Sequence, residues 1–199
     1  MGDDTQPGRA GTRRHDPQRR ERIVAACLDV IAECGVAGVT HRKVAAAADV
    51  PLGSMTYHFS GMDELLREAF EVFSTTVAER FESRLAEAAD LAEARTAVAA
   101  IISNDVFGSQ RDLVLTHELY TLAARDPAYR QLTNGWMRRS RTALERHFDP
   151  MTARLLDALI EGLTIHEALD TERRDPDIVA KGIERLTKWE AAAGNAPTA

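Results

Sequence analysis

The sequence predicts an all-α protein. Apolar residues recur at three- and four-residue spacing through most of the 199 residues, which is the period of an amphipathic helix. Of the four breaks between the segments that follow residue 90, three are an Asp followed by a Pro, residues that cap and begin helices. Ala, Leu, Glu and Arg are abundant, and no segment alternates apolar and polar residues as a strand does. A hydrophobic content of 44% is enough to bury a core.

The first element is a helix that follows an irregular arm. Residues 1–15 carry Gly, Asp, Thr, Pro and Arg without periodicity, so we expect a disordered basic arm. Asp16 and Pro17 then predict an N-cap and a first helical position. Gly35 predicts the end of this helix, whose buried face carries Ile23, Cys27, Val30, Ile31 and Cys34.

The next stretch, THRKVAAAADVPLGSMTYHF at residues 40–59, predicts two short helices joined by a tight turn. Thr40 is a good N-cap for the first helix. Asp49 stands where such a turn needs a left-handed backbone, which Asp tolerates better than most residues. Pro51 suits the first turn of a second helix, predicted over about residues 52–59. Residues 16–60 are therefore expected to form a three-helix domain that contains a helix-turn-helix.

The second helix of this pair predicts a face that can enter a DNA major groove. With Met55 and Phe59 buried at i and i+4, the other side carries small, polar or hydrogen-bonding residues: Leu52, Gly53, Ser54, Thr56, Tyr57 and His58. The alternative is a plain packing unit of an all-α protein. The agreement among the buried positions, the turn and the polar face favours DNA binding.

The charge distribution fits this interpretation. A net charge of −6 argues against a nucleic-acid partner for the chain as a whole. Between Arg9 and Arg22, however, six basic residues stand against two acidic ones, and the acidic residues concentrate after residue 60. Two interpretations of the arm stay open: an inert tail, and a segment whose Arg13, Arg14 and His15 reach phosphates or a minor groove.

The pattern T-x-x-x-V-A-x-x-A-x-V-x-x-G-S-M-x-Y-H-F, followed by S-G-M-D-E-L-L, resembles the DNA-binding domain of the tetracycline-repressor (TetR) family. The resemblance covers about residues 17–73. It implies a homodimer whose three N-terminal helices bind a palindromic operator in double-stranded DNA. It also implies a helical C-terminal domain that binds a small-molecule effector, which releases the DNA. The implied function is that of a transcriptional regulator. Repression is a simpler expectation than activation.

The resemblance also implies roles for individual residues. Arg42 falls where the family often has a base-reading arginine, and a solvated or phosphate-bound arginine is the alternative. The DNA-binding set further includes Thr40, and at phosphate or base-edge positions His41, Lys43, Tyr57 and His58. Two residues depart from the family pattern: Asp49 replaces the usual turn glycine, and Met62 replaces a lysine that commonly grips phosphate. The second departure predicts a slightly shallower salt dependence of DNA binding.

A long helix is predicted after the helix-turn-helix. Ser60 to Asp63 form a capping-box pattern with Asp in place of the commoner Glu or Gln. The helix then continues through an apolar stripe that consists of Leu65, Leu66, Phe70, Phe73, Val77, Phe81 and Leu85. This helix would connect the predicted DNA-binding domain, residues 16–60 (the head), to the rest of the helical chain, residues 61–193 (the body). A movement of the body would then be passed along the helix to the head. A fixed structural linker is the alternative.

The rest of the chain predicts a helical effector-binding and dimerisation domain at residues 61–193, followed by a frayed tail at 194–199. Helices are expected at about 91–107, 110–125, 127–148, 150–170 and 176–192. An effector pocket needs apolar walls with a few polar groups, and the candidates are Phe107, His117, Tyr120, Trp136 and Met137. Satisfied core or rim positions are the alternative for His117 and Tyr120.

The last two helices carry the predicted dimer interface. Ala158 and Gly162 are small residues four apart, so a second helix can approach closely over them. The candidates are Leu155, Ala158, Leu159, Gly162 and His166 on one helix, and Ile178, Gly182, Leu186 and Trp189 on the other. The family resemblance implies that these helices meet their copies in a four-helix interface, which would set two recognition helices about one DNA turn, roughly 34 Å, apart. Packing within the chain's own core is the alternative.

Other functional classes have little support in the sequence. No apolar run is long enough to span a membrane and no signal peptide is recognisable, so a cytoplasmic protein is expected. His117-Glu118 and His166-Glu167 do not form H-E-x-x-H, and no phosphate loop or G-x-S-x-G occurs, so neither an enzyme nor a metal or cofactor site is expected. A third class stays open: a helix-turn-helix regulator that responds to a protein partner or to no ligand, which a body without a cavity would indicate.

The two cysteines lie seven residues apart on the first predicted helix. Cys27 and Cys34 cannot bridge to each other without breaking that helix, because about 10 Å of helical rise separates them. We expect two small core residues, and a redox role stays open.

Overall fold

The computed structural model describes residues 17–105, 109–172 and 175–193. In these ranges the chain forms nine α-helices and no strand, so the all-α prediction is confirmed. The helices are α1 (Arg19–Cys34), α2 (His41–Ala47), α3 (Gly53–His58), α4 (Met62–Ala86), α5 (Leu91–Ala100), α6 (Gln110–Ala123), α7 (Pro127–Leu144), α8 (Pro150–Leu169) and α9 (Ile178–Ala193). A 3₁₀ turn, Val36–Gly38, follows α1, and α5 continues into a π-helical turn, Ile101–Asp105. Within the described ranges, none of the helices is long and apolar enough to cross a membrane.

Two hydrophobic cores lie along α4. The first core joins α1, α2 and α3 to the first half of α4 and also to α6 and α7, and its fully buried residues include Ile23, Val44, Leu65 and Leu115. The second core lies between the second half of α4 and helices α5, α7, α8 and α9, around Leu85, Leu144 and Leu156. Because α4 contributes to both cores, it connects α1, α2 and α3 to the helices that follow it.

Several helices begin at the side chains that the sequence predicts. Thr40 Oγ1 accepts a hydrogen bond from the main-chain N of Lys43 at 3.2 Å, which caps α2. Asp126 and Asp149 cap α7 and α8, and in both cases a proline is the first helical residue. α7 ends at Leu144, four residues before the predicted end, and the helical turns of residues 145–148 lead to α8.

Two helices start later than the sequence predicts. α1 begins at Arg19, and its N-cap, Gln18, makes no side-chain cap bond; the predicted N-cap, Asp16, lies outside the described residues. α9 begins at Ile178 because Asp175 Oδ1 accepts a hydrogen bond from the main-chain N of Asp177 at 2.9 Å and holds a turn there.

The start of α4 uses a different residue from the predicted capping box. α4 begins at Met62, with Gly61 as its N-cap. Glu64 Oε2 accepts hydrogen bonds from the main-chain N and the Oγ of Ser60, at 2.8 Å and 2.6 Å. Glu64 takes this role in place of Asp63 because it is the third residue of the helix, the position that can reach back over the first turn.

The two cysteines are free thiols in different environments. Cys27 is fully buried, and burial raises the pKa of its thiol to about 12. Cys34 is exposed at the end of α1, so the expectation of two core cysteines is wrong for this residue. The reason is that the 3₁₀ turn leaves the last position of α1 at the surface.

Candidate functional site

The turn between α2 and α3 has the backbone that the sequence predicts. Asp49 has a φ of 51°, which lies in the left-handed region. The main-chain N of Val50 donates a hydrogen bond to the main-chain O of Ala45 at 3.0 Å, and the Val50 side chain packs against the first core. This turn brings α3 back against α2 and completes a helix-turn-helix.

The outer side of α3 is open to solvent, with one exception. Tyr57 is 81% exposed, Leu52, Gly53 and Thr56 are also exposed, and His58 is half-buried. Ser54 is only 8% exposed, so the prediction that it lies on the exposed face is wrong. α3 has only six residues, and it packs against its neighbours through two adjacent positions, Ser54 and Met55.

A shallow groove separates the start of α2 from α3. It is lined by Thr40, His41, Arg42, Leu52 and Thr56, all of which belong to the predicted DNA-binding set. Thr40 and Arg42 are exposed and His41 is half-buried. The structure therefore brings hydrogen-bonding groups from both helices together on one open surface, as a contact with bases or phosphates requires.

Lys43 already has partners within the chain. Its Nζ donates a hydrogen bond to the main-chain O of Gly38 at 2.8 Å and lies 3.5 Å from the Sγ of Cys34. The ammonium group therefore fastens α2 to the preceding 3₁₀ turn. A phosphate contact by Lys43 has to share or replace the bond to Gly38.

Arg20 of α1 binds the end of α3, the second helix of the helix-turn-helix and its predicted recognition helix. Sequence analysis did not predict this role. Its Nη1 donates a hydrogen bond to the main-chain O of His58, the last residue of α3. Its Nε lies 2.9 Å from Glu68 Oε1 and its Nη2 lies 3.1 Å from Glu64 Oε1. The guanidinium also stacks over the Phe59 ring, 4.3 Å from the centroid. One side chain thus ties α1, α3 and α4 together.

The same cluster changes the titration of Glu64. Hydrogen bonds from the side chain and main chain of Ser60, and then from Arg20, lower the pKa of Glu64 to about 2. The carboxylate therefore stays charged far into the acid range, where it keeps the start of α4 capped and Arg20 in place.

A cavity of about 40 Å³ lies in the body, between α4, α6, α7 and α8. Its lining residues are Val77, Phe81, Thr116, Tyr120, Trp136, Met137, Ser140, Asp157, Ile160 and Glu161. The rings of Tyr120 and Trp136 stack with their centroids 6.1 Å apart and an interplanar angle of 24°. Trp136 is also in edge contact with Phe73 of α4. The cavity is therefore an aromatic and aliphatic chamber with a polar side.

The polar side of the cavity contains one orphaned hydroxyl. Thr116 is 1% exposed, and among the described residues its Oγ1 has no hydrogen-bond partner. An unpaired buried hydroxyl costs free energy, roughly 1–3 kcal/mol, unless another molecule satisfies it. A ligand or an ordered water in the cavity would supply the missing partner.

Two carboxylates, Asp157 and Glu161, line the cavity from successive turns of α8. Burial raises the pKa of Asp157, and Arg141, whose Nη1 lies 3.3 Å from Asp157 Oδ2, opposes this shift. Burial also raises the pKa of Tyr120, and the charge and hydrogen bond of Glu161 raise it further. Among the described residues no Lys or Arg side chain lines the cavity, so the charged groups of its lining are these two carboxylates.

Three of the five predicted effector-binding residues line this cavity: Tyr120, Trp136 and Met137. His117 does not line the cavity; its Nδ1 pairs with the main-chain O of Leu113 at 2.8 Å. Phe107 lies outside the described residues. The lining residues that sequence analysis missed include Thr116, Asp157 and Glu161; the i, i+4 pair of acids among the apolar residues in the middle of α8 is the signal that would have found two of them.

An apolar stripe on α8 faces solvent. It consists of Met151, Leu155, Ala158, Gly162, Ile165 and Leu169, whose spacing alternates between four and three residues. Met151 is 67% exposed and Leu169 59%. A Cβ placed on Gly162 meets no atom of the chain within 4 Å. The stripe is therefore a surface that the chain itself does not cover and that another helix can approach closely. Met151, Ile165 and Leu169 are added to the predicted dimer residues.

The remaining predicted dimer residues divide between the surface and the chain's own packing. His166 and Ile178 are exposed. Leu159 and Leu186 pack against the second core, and a Cβ on Gly182 would lie 3.4 Å from Leu159 Cδ2. These three residues therefore fasten α9 to α8 within one chain. The side chain of Trp189 lies outside the described residues.

No group of three or more His, Cys, Asp or Glu side chains is placed to hold a metal ion in the part of the chain that the structure describes.

Comparisons with known proteins place these features in a family. The family described as bacterial regulatory proteins, tetR family, matches residues 23–69, which span most of α1, the helix-turn-helix and the start of α4. The protein SCO7518 of Streptomyces coelicolor A3(2), assigned as a transcriptional regulator, is 60% identical with a TM-score of 0.79, and the match covers 86% of this chain and 99% of that one. CymR of Pseudomonas putida, an HTH-type transcriptional regulator, is 30% identical over 125 residues, which are 62% of this chain and 60% of CymR.

Two further solved structures extend the likeness over the body. SCO1917 of Streptomyces coelicolor A3, a member of the TetR family, is 33% identical with a TM-score of 0.67 over 85% of this chain and 98% of that one. The multidrug binding protein EbrR, in complex with ethidium, is 34% identical with a TM-score of 0.67 over 86% and 99%. The helix-turn-helix and the helical body together match members of one family, and this chain belongs to the TetR family of DNA-binding transcriptional regulators.

Proposed function

We propose that this regulator is a homodimer that binds a palindromic operator and is released from it by a small molecule bound in the cavity. The observation that carries the proposal is the position of α6. Thr116 and Tyr120 of α6 line the cavity, and Arg111 of the same helix pairs with Asp29 of α1, at 2.9 Å between Nε and Oδ1. One helix therefore touches both the effector site and the DNA-binding head.

A second contact joins α6 to the end of α1. A Cβ placed on Gly35 would lie 2.7 Å from Glu118 Oε1, and Gly35 has a φ of 67°. The left-handed φ favours glycine at this position, and the end of the flexible Glu118 side chain lies against it. A shift of α6 therefore reaches α1 at two points, Asp29 and Gly35.

The size of the cavity supports a switch. Sites that hold drug-sized ligands have volumes of roughly 300–1,000 Å³, whereas the cavity has about 40 Å³. Such a ligand must push apart the surrounding helices, which include α4 and α6. Both helices share the first core with α1, so the expansion changes the position of the DNA-binding head.

The proposed DNA contacts come from the exposed residues of the helix-turn-helix: Thr40, His41, Arg42, Leu52, Gly53, Thr56, Tyr57 and His58. Arg42 has the side chain best suited to reading a guanine. Lys43 remains a candidate for a phosphate contact through exchange of its bond to Gly38. Met62 packs against the first core and brings no charge to the DNA, which supports the shallower salt dependence.

The proposed dimer interface is the stripe on α8, with a second copy of the chain as the partner. Residues spaced alternately by three and four along a helix form a seam that packs against another helix. Ala158 and Gly162 in the middle of the stripe allow a close crossing. His166 and Ile178 lie at the exposed edges of the same region, and Trp189 stays a predicted member. A two-fold contact of this kind presents two recognition helices to the two halves of a palindrome.

A relative supports the small-molecule part of the proposal. EbrR is named a multidrug binding protein and has been solved with imidazole, ethidium, proflavin and malachite green. The alternative is a regulator that responds to a protein partner or to no ligand. The cavity and the unpaired hydroxyl of Thr116 favour a ligand over that alternative.

The test is selection of bound duplexes from a random DNA pool by the full chain, at near-physiological salt. We expect a palindrome with half-sites about one helical turn apart. The selected duplex then serves as the probe for release by small molecules. A well-folded, dimeric sample that enriches no sequence would contradict the proposed operator binding.

A further inference from the structure

We propose that the effector is an aromatic cation, held by Asp157 and Glu161 and stacked on the rings of Tyr120 and Trp136. This inference rests on the proposed function, which makes the cavity the effector site, and it adds the chemical class of the ligand. Three features of the cavity carry it: the charge of its wall, its stacked aromatic rings and its unpaired hydroxyl.

The charge of the wall favours a cation. Asp157 and Glu161 are four residues apart on α8, so both carboxylates reach the same chamber. Arg141 contacts Asp157 at 3.3 Å and Arg154 also acts on this carboxylate, but neither arginine lines the cavity. The two arginines offset the charge of Asp157, whereas Glu161 shares a hydrogen bond with the neutral hydroxyl of Tyr120, so the charge of Glu161 is left for a positively charged ligand.

The aromatic pair favours a ligand that carries rings. Tyr120 and Trp136 are stacked with centroids 6.1 Å apart and an interplanar angle of 24°, so their faces are nearly parallel and a ligand ring can extend the stack beside them. Tyrosine and tryptophan faces also attract cations, most strongly where water is excluded. Met137, Val77 and Ile160 complete an apolar wall that favours a lipophilic molecule over a small inorganic cation.

The unpaired hydroxyl is an independent sign of a ligand. Thr116 Oγ1 is buried in the cavity wall without a partner among the described residues, although most buried hydroxyls are satisfied. A polar atom of the ligand, or a water carried with it, would satisfy this group. The carboxylates thus supply charge selection, the rings supply affinity, and Thr116 adds a polar contact.

The experiment uses two probes of the same shape and opposite charge. Tetraphenylphosphonium and tetraphenylborate each carry four phenyl rings around one central atom, so they differ mainly in the sign of the charge. Their binding to the full-length protein without DNA is measured by titration calorimetry. The variants are Asp157→Asn and Glu161→Gln, and the matched control is Glu145→Gln, which removes an exposed carboxylate outside the cavity.

We expect the phosphonium to bind at least about tenfold more tightly than the borate, because the charged groups of the cavity lining are carboxylates. Each cavity variant should weaken phosphonium binding about tenfold, and Asp157→Asn, which frees Arg141, should also strengthen borate binding. Glu145→Gln should leave both affinities unchanged. Equal or tighter binding of the borate, failure of the phosphonium to bind, or wild-type phosphonium affinity in both Asp157→Asn and Glu161→Gln would overturn the inference.

The same probes separate this inference from the proposed function. If the phosphonium binds in the charge-dependent way but never releases the selected operator, the ligand class stands and the release mechanism fails. If an uncharged or anionic aromatic compound releases the operator through the cavity while the phosphonium does not bind, the release mechanism stands and the ligand class fails.

Discussion

Arg111 of α6 and Asp29 of α1 form an ion pair that crosses from the body to the DNA-binding head. The Nε of Arg111 lies 2.9 Å from Asp29 Oδ1, and Nη2 lies 2.8 Å from the same oxygen. Both side chains are substantially exposed, so the pair adds little to global stability. Its importance is its position, because α6 also lines the cavity.

Arg111→Ala should therefore weaken the coupling more than the fold. We expect operator affinity within about threefold of wild type and a change in melting temperature of only a few degrees. The tetraphenylphosphonium concentration at which half of the bound operator is released should rise, because a displacement of α6 is no longer passed to Asp29 through the ion pair. Lys181→Ala, which removes an exposed ion pair with Asp175 far from the head, is the control. Unchanged release in Arg111→Ala would remove this pair from the coupling.

Arg20→Ala should destabilise the DNA-binding head. The substitution removes the hydrogen bond to the His58 carbonyl, two carboxylate contacts and the stacking on Phe59. Because the side chain is partly exposed, we expect a loss of only about 1–2 kcal/mol in the free energy of unfolding, together with weaker operator binding. Urea unfolding measures the first quantity and gel shift the second. Arg138→Ala on the surface of α7 should change neither.

Glu64 predicts a specific acid dependence of stability. Its folded pKa, about 2, lies below the ordinary value of 4.5, so its contribution is complete above pH 4.5 and is lost as the pH falls toward 2. Glu64→Gln should make the free energy of unfolding less dependent on pH within this window, as measured by urea unfolding at several pH values. A variant whose acid dependence matched that of the wild type would show that Glu64 is not the responsible group.

Arg42→Ala should reduce the preference for the operator over random DNA by about 1–3 kcal/mol and leave the fold intact. Arg42 is exposed beside α3, so its removal creates no cavity. Competition binding with operator and random duplexes measures the preference, and circular dichroism checks the fold. If the preference is unchanged, Arg42 contacts phosphate or solvent and reads no base.

Gly162→Leu should weaken dimerisation and, with it, operator affinity. Within the chain a Cβ at Gly162 meets open space, so the fold of one protomer should be unaffected. Against a second α8 the larger side chain would force the helices apart. Sedimentation velocity over a range of concentrations measures the effect, and Ala92→Leu at an exposed position of α5 is the control. A Gly162→Leu variant that is fully dimeric would place the interface elsewhere.

Local rules explain why much of the head was predictable. The cap at Thr40, the left-handed Asp49 and the buried Met55 each depend on residues within about one helical turn, and all three agree with the structure. Ser54 was misplaced because burial on a short helix depends on how α3 lies against its neighbours. Arg20 was missed because its partners lie 38 to 48 residues away.

The sequence by itself determined the helices, the caps of α2, α7 and α8, the helix-turn-helix, and the small residues Ala158 and Gly162 on α8, because these follow from spacing along one helix. Only the tertiary structure decided which residues share the cavity, since Val77, Thr116, Trp136 and Asp157 come from four different helices. It also decided that Glu64, Arg20 and His58 form one cluster. Helical periodicity predicts which face of a helix is apolar. The residues that this face contacts depend on the packing of segments that are distant in the sequence.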